Sequence, residues 1–197
     1  MATEISNDKE AAVNYPLLKL LMALGLPLAV FLAGGSWMMK VTGRGNFPET
    51  AAPESTPLHF RFGGYDVAEV RAYWDWLGAD GRLAELRFLE LDLLFPLFYG
   101  GAILLGLFLI WDALGRPFPR RRLTAPVFVN LIADWTENLT LRHQLRRFLD
   151  NEPIEEGWIA LAGQATTVKI LCFSLAWLLL LGLILRWLRR LPEEATR

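Results

Sequence analysis

Residues Trp158–Trp187 read WIALAGQATTVKILCFSLAWLLLLGLILRW, and this stretch decides the fold. Up to Leu185 its one charge is Lys169, and Ile170–Leu185 carries none. A hydrocarbon core of ~30 Å is crossed by about 20 apolar residues in a helix. The stretch is longer than that, so a helix here must tilt or project from the membrane. Trp158 and Trp187 stand at its ends, where amphipathic indole rings favour the membrane–water interface.

Three further spans are expected upstream. The first covers about 15–37 and is apolar except for Lys19, whose stem can snorkel to the near interface. Pro27 lies in its middle and should kink it. The second covers about 89–111. The third covers about 125–141, with Thr124 as N-cap and Pro126 in the first turn, where its missing N–H costs little. It is the least hydrophobic of the four. Trp37 and Trp111 also fall at span ends. The expectation is an all-α transmembrane four-helix bundle forming one integral membrane domain over 1–197. Met1–Asn14 is polar and acidic and has neither the basic start nor the cleavage site of a signal peptide. The first span is therefore expected to be retained.

Composition agrees with this reading. The chain has 197 residues, 53% of them hydrophobic, with a mean hydropathy of +0.29; soluble domains are usually nearer 45–50% apolar. A net charge of −1 provides no basic field for nucleic acid. The single cysteine, Cys172, excludes an internal disulfide and any CxxC motif. Two histidines, His59 and His143, are too few for paired bis-histidine haem ligation. No cofactor and no metal is implied. There is no internal repeat.

Between the first two spans, 40–88 is the one sizeable extramembrane segment. Pro48, Pro53 and Pro57 mark its first part as loop. Asp66 and Glu69 then form a D-x-x-E capping box, and Val67, Val70, Tyr73, Trp74 and Leu77 share one face of a helix. Gly78 and Gly81 can end it. Such a short amphipathic helix either lies in the membrane interface or packs on the bundle as a cap.

Orientation follows from the short connections. Gly115–Arg122 reads GRPFPRRR, and Arg186, Arg189 and Arg190 follow in the tail. The positive-inside rule puts both segments, and so both termini, in the cytoplasm of a cell-membrane protein. Arg82, Arg87, Arg142, Arg146 and Arg147 would then lie outside, against the rule.

The spans are not uniformly apolar. The third contains NLIADWTENLTL, in which Asn130, Asp134, Glu137 and Asn138 form one stripe at offsets of four, three and four. The second carries Asp92 with Pro96 and Tyr99 on the same face. Glu85 is two turns further out, and Glu90 points the other way. The fourth carries Gln164, Thr166, Thr167 and Lys169. In the expected topology these clusters meet at one depth, in the outer half of the membrane. One charged side chain at the bilayer centre costs about 2.5–3.5 kcal/mol on insertion scales. Asp92, Asp134, Glu137 and Lys169 must therefore face inward, with Lys169 pairing with Asp134 or Glu137. A hard cation held by the carboxylates would compete with Lys169. Gly34-Gly35 and Gly100-Gly101 suit close helix packing. Asn138-Leu-Thr140 is a sequon, but its place inside a span rules out glycosylation there.

The runs GYDVAEVRAYWDWLGADGRLAELRFLELDLLFPLFY (Gly64–Tyr99), ADWTENLTL and TTVK resemble those of uncharacterised bacterial four-span integral membrane proteins. These pair an extramembrane helix with an Asp-x-x-Phe-Pro second span and an Asp-x-x-Glu-Asn third span. The matching positions are Asp92, Phe95, Pro96, Asp134, Glu137 and Asn138, and the likeness covers roughly 64–175. It implies a shared fold and no activity. More remotely, the long first loop and the acid-then-Pro second span are similar to the EXPERA group of four-span lipid-binding proteins and sterol isomerases. That group implies acidic residues in a membrane cavity, here Asp92 and Glu137; its first-span acid has no counterpart in Gly34–Lys40.

The expected site is a polar cavity that binds or processes a membrane lipid or small lipophilic molecule. Asp92, Asp134 and Glu137 are its candidate acid–base groups. Asn130, Asn138, Gln164, Thr167, Lys169 and Tyr99 are its candidate binding groups. The alternatives are a structural or accessory subunit, associated with itself or with a membrane partner protein, and a small proton- or cation-coupled transporter. No motif specifies a reaction.

Overall fold

A computed structural model describes residues 16–47 and 58–194. The acidic N-terminal segment and the prolines Pro48, Pro53 and Pro57 lie outside the described residues. Five helices account for the architecture, and no strand occurs among the described residues. They are α1 (Pro16–Thr42), α2 (Val67–Leu91), α3 (Phe95–Ala113), α4 (Arg121–Leu149) and α5 (Glu156–Glu194). Three of them, α1, α3 and α5, are long and apolar enough to cross a membrane. α4 has the length, at 29 residues, but its polar stripe keeps it outside that class.

In α1, Leu21–Gly25 forms a π-turn in which Leu26 N–H reaches Leu21 O. Pro27 follows directly and is buried. Proline has no N–H for the carbonyl four residues back, so the i→i+5 turn absorbs the break expected at this position. Ala23 O, left without that partner, lies over Gly106 of α3, where an added Cβ would stand 2.3 Å from it.

α2 begins with the expected capping box. Glu69 N donates to Asp66 Oδ1 at 2.8 Å and Asp66 N to Glu69 Oε2 at 2.7 Å. Val70, Tyr73, Trp74 and Leu77 are buried against Leu141 and Leu145 of α4 and Ile159 of α5, so this helix is a cap packed on the other helices. Gly78, with φ 63°, kinks α2 without ending it, and the helix continues to Leu91. The second span was expected to start near 89. Instead, a turn at 92–94 separates α2 from α3, with Pro96 in the first turn of α3. Trp135 Nε1 donates to Leu93 O across this break at 2.8 Å.

α4 starts at Arg121, so Thr124 is not its N-cap and Pro126 lies inside the helix. The turn begun by Arg122 N and Pro119 O (3.0 Å) starts the helix before Thr124 is reached. α4 pairs with α5 along its length. Asn130 meets Lys169, and Gln144 meets Glu155, residue numbers that rise on one helix as they fall on the other, so the two are antiparallel.

Two apolar cores result. One joins Ala23, Ile103, Leu107, Ile110, Val127, Ala176 and Leu180. The other joins Trp74, Leu89, Leu141, Leu145, Ile159 and Ala162. On α4, Val127 belongs to the first and Leu141 to the second. On α5, Ala176 belongs to the first and Ile159 to the second. The polar residues Asn130–Asn138 and Lys169 fall between them on both helices, and Asp92 falls between Leu89 and Tyr99.

Candidate functional site

The layer between the cores is a connected network. Lys169 Nζ pairs with Glu137 Oε2 and lies 3.4 Å from Asp134 Oδ1. Tyr99 Oη lies 2.8 Å from both Asn130 Oδ1 and Asp134 Oδ2, and its single proton serves one at a time. Asn130 Nδ2 donates to Lys169 O at 3.1 Å. Asn138 Nδ2 donates to Asp92 Oδ2 at 3.0 Å and Asp134 Oδ1 at 3.1 Å. Asp92, Asn130, Asp134, Glu137 and Asn138 are all buried. The low-dielectric surroundings strengthen each of these bonds and penalise any partner left alone.

One side of this layer opens into a cavity of about 590 Å³. Asp92, Tyr99, Asn130, Asp134 and Lys169 form its polar wall. Phe31, Leu32, Gly35, Met38 and Met39 of α1, with Phe88, Phe95 and Phe173, form the apolar walls. Phe31, Phe95, Tyr99 and Phe173 make a cluster of rings with centroids 5.0–6.1 Å apart. His59 and Phe60 close one end from the 3-10 turn Leu58–Phe60. Of these two and the α1 residues, the sequence singled out only Gly35, and for helix packing; here it faces open space.

Five of the nine candidate residues therefore line the cavity. Glu137 stands behind Lys169 and holds it; Asn138 bridges the two aspartates without lining the space. Gln164 is exposed on the opposite face of α5 and takes no part, which corrects the expectation. Thr167 accepts from Gly63 N at 3.1 Å and donates to its own helix at Gly163 O, so it pins the connector before α2. Thr166 bonds Ala162 O at 3.0 Å. Gly64 and Gly163 pack backbone to backbone there, where an added Cβ on Gly163 would meet Gly64 Cα at 3.0 Å.

Glu85 belongs to a second buried network that the sequence hid. Arg44, fully buried, donates from Nε to Glu85 Oε2 at 2.5 Å, pairs with Tyr73 Oη, and donates to Phe47 O at 2.7 Å. This locks the end of α1 to α2. Glu90 instead pairs with Arg142 and Arg146 at the surface. His59 is buried and its imidazole is pushed down to about 3, by burial first and then by the charges of Lys169 and Arg44. It is neutral at physiological pH. Among the described residues, no group of three or more His, Cys, Asp or Glu side chains is arranged to hold a metal ion.

No family model, no curated protein and no solved structure matches this chain. The site must be read from its own chemistry.

Proposed function

We propose that the chain crosses the membrane four times, as a bundle of α1, α3, α4 and α5, and that its cavity binds a lipid or a small lipophilic molecule with a polar group. One observation carries the reading: a cavity of about 590 Å³ with apolar walls and one convergent polar wall. Small-molecule sites have this size and this distribution of polar groups. The spanning of α4 is supported by its outer face, where Phe128, Val129, Ile132 and Leu139 are exposed while the polar stripe faces in. Asp92 and Asp134 meet the ligand's polar group, and Asn130, Tyr99 and Lys169 orient it. The likeness to bacterial four-span proteins and to the EXPERA group fits this reading. The arginines of the α3–α4 connection and of the tail favour a cytoplasmic side for both termini. Of the five arginines that strained the charge rule, four are paired: Arg82 with Asp75, Arg142 and Arg146 with Glu90, and Arg147 with Glu152 and Glu155.

Photo-crosslinkable lipids should label residues of the cavity, and Asp134→Asn should weaken that labelling. Diffuse labelling indifferent to the substitution would overturn the proposal. A structural role as an accessory subunit is favoured by one observation, the complete burial of Glu137 against Lys169. Buried pairs of this kind can fix helix register. That reading expects no discrete bound molecule in native mass spectrometry.

A further inference from the structure

The two ends of the molecule treat arginine differently. At the cap end most are paired with a carboxylate, Arg142, Arg146 and Arg147 among them, and only Arg71 and Arg87 of α2 are not, among the described residues. At the opposite end, the connection between α3 and α4 meets the end of α5, where Arg190 Nη1 reaches Leu114 O at 3.4 Å. Arg120, Arg121, Arg122, Arg186 and Arg189 are exposed there and meet no carboxylate among the described residues. Arg116 alone is paired, with Asp112 at 2.9 Å.

Two of these arginines are held in a fixed geometry. Arg120 lies over the Phe108 ring at 4.3 Å from its centroid, and Arg116 over Trp111 at 5.8 Å. Trp111 is itself held by its Nε1–H bond to Phe118 O at 3.0 Å. Together with Asp112 these four side chains line a cleft on the flank of α3. A guanidinium stacked on an aromatic face still presents its in-plane N–H donors, and planar donor forks suit phosphate oxygens; Arg116 uses Nε on Asp112 and keeps its Nη donors. Leu105, one turn before Phe108 on α3, is exposed, and would lie against the acyl chains of a lipid whose phosphate is seated here.

We propose that this cleft is a binding site for the phosphate of an anionic lipid headgroup, separate from the central cavity. Arg120 and Arg116 grip the phosphate, Phe108 and Trp111 hold the two guanidinium planes, and the surrounding exposed arginines draw anionic lipid to this end. Each arginine near an anionic surface contributes about a five-fold gain in binding.

The test is native mass spectrometry of the full chain from nanodiscs of phosphatidylcholine mixed with phosphatidylglycerol. The expected result is retained phosphatidylglycerol on the wild type and a loss of an order of magnitude or more in Arg116→Gln/Arg120→Gln. Arg142→Gln/Arg146→Gln at the other end should retain it. Thermal unfolding of each variant separates lost binding from lost fold. Equal retention in the wild type and the Arg116/Arg120 variant, with both folded, overturns the site. Inorganic phosphate binding equally well with neutral lipid alone, and displacing the phosphatidylglycerol, overturns the lipid as its source.

Discussion

Asn138 donates its side-chain amide to Asp92, 46 residues earlier in the chain, at 3.0 Å, and the same nitrogen lies 3.1 Å from Asp134 Oδ1. One neutral donor thus bridges Asp92, at the break between α2 and α3, and Asp134 of α4. Asn138→Leu removes that donor and leaves both acids short of a partner in a buried layer. The expected loss is about 1–3 kcal/mol, read as a lower unfolding midpoint in detergent. Asn138→Asp puts a third carboxylate in the same place and should cost more. If both variants unfold like the wild type, the bridge contributes nothing to the fold.

Lys169 offsets a larger debt of desolvation. Glu137 is fully buried, with the Lys169 ammonium as its charge partner. Lys169→Met leaves an uncompensated buried carboxylate, which typically costs about 3–5 kcal/mol. Adding Glu137→Gln removes the orphaned charge, so the double variant should recover much of the loss. A double variant no more stable than Lys169→Met would show that the two side chains are not coupled.

The close approach of α1 to α3 rests on Gly106. A Cβ there would stand 2.3 Å from Ala23 O, and a backbone carbonyl cannot swing aside as a side chain can. Gly106→Ala should therefore push α1 away, at a cost of about 1–3 kcal/mol by overpacking. Gly101→Ala on the same helix meets nothing within 4 Å and should be neutral or slightly stabilising by helix propensity. Thermal unfolding of the pair checks this; equal behaviour would mean α1 is free to shift.

These residues also mark what a linear reading reaches. Asp134, Glu137 and Lys169 were legible because each lies on a periodic helix face and the cost of exposing charge to lipid forces them together. Gln164 was misread: five residues from Lys169 at 3.6 residues per turn is a rotation of about 140°, enough to turn it to the outside. The break at 92–94 was signalled by Pro96 but hidden by the helix-compatible spacing of Asp92, Pro96 and Tyr99. Arg44 with Glu85, and His59 with the cavity, were out of reach. Arg44 lies in the 3-10 turn after α1, and His59 lies shortly before Gly64, which meets Gly163; no periodicity encodes either placement.

His59 makes stability depend on pH in a defined direction. In the folded chain its imidazole titrates near 3, against about 6.5 when unfolded. Below pH 6.5 the unfolded state therefore binds a proton that the folded state refuses. Stability is present above 6.5 and falls on acidification, by about 1.4 kcal/mol per pH unit until pH nears 3. His59→Phe should flatten this part of the profile relative to the wild type, leaving the carboxylates' contribution in both. Parallel profiles between pH 7 and pH 5 would refute a buried neutral His59.

Gly35 separates binding from folding. It lines the cavity, and an added Cβ meets nothing within 4 Å. The Cβ of Gly35→Leu should therefore be accepted without strain, the variant should gain up to about 1 kcal/mol of helix propensity, and its side chain should take up cavity space a ligand would use. Every hydrogen bond of the polar wall stays intact. If the cavity is a binding site, this variant loses photo-labelling or a co-purifying molecule while its unfolding midpoint holds or rises. If the polar layer serves only to fix the packing of α3, α4 and α5, Gly35→Leu leaves binding to any partner protein unchanged, and its unfolding midpoint again holds or rises. Lys169→Met, by contrast, damages the fold under either reading. The glycine is thus the better discriminator, because filling the cavity removes what a ligand needs and nothing that the fold uses.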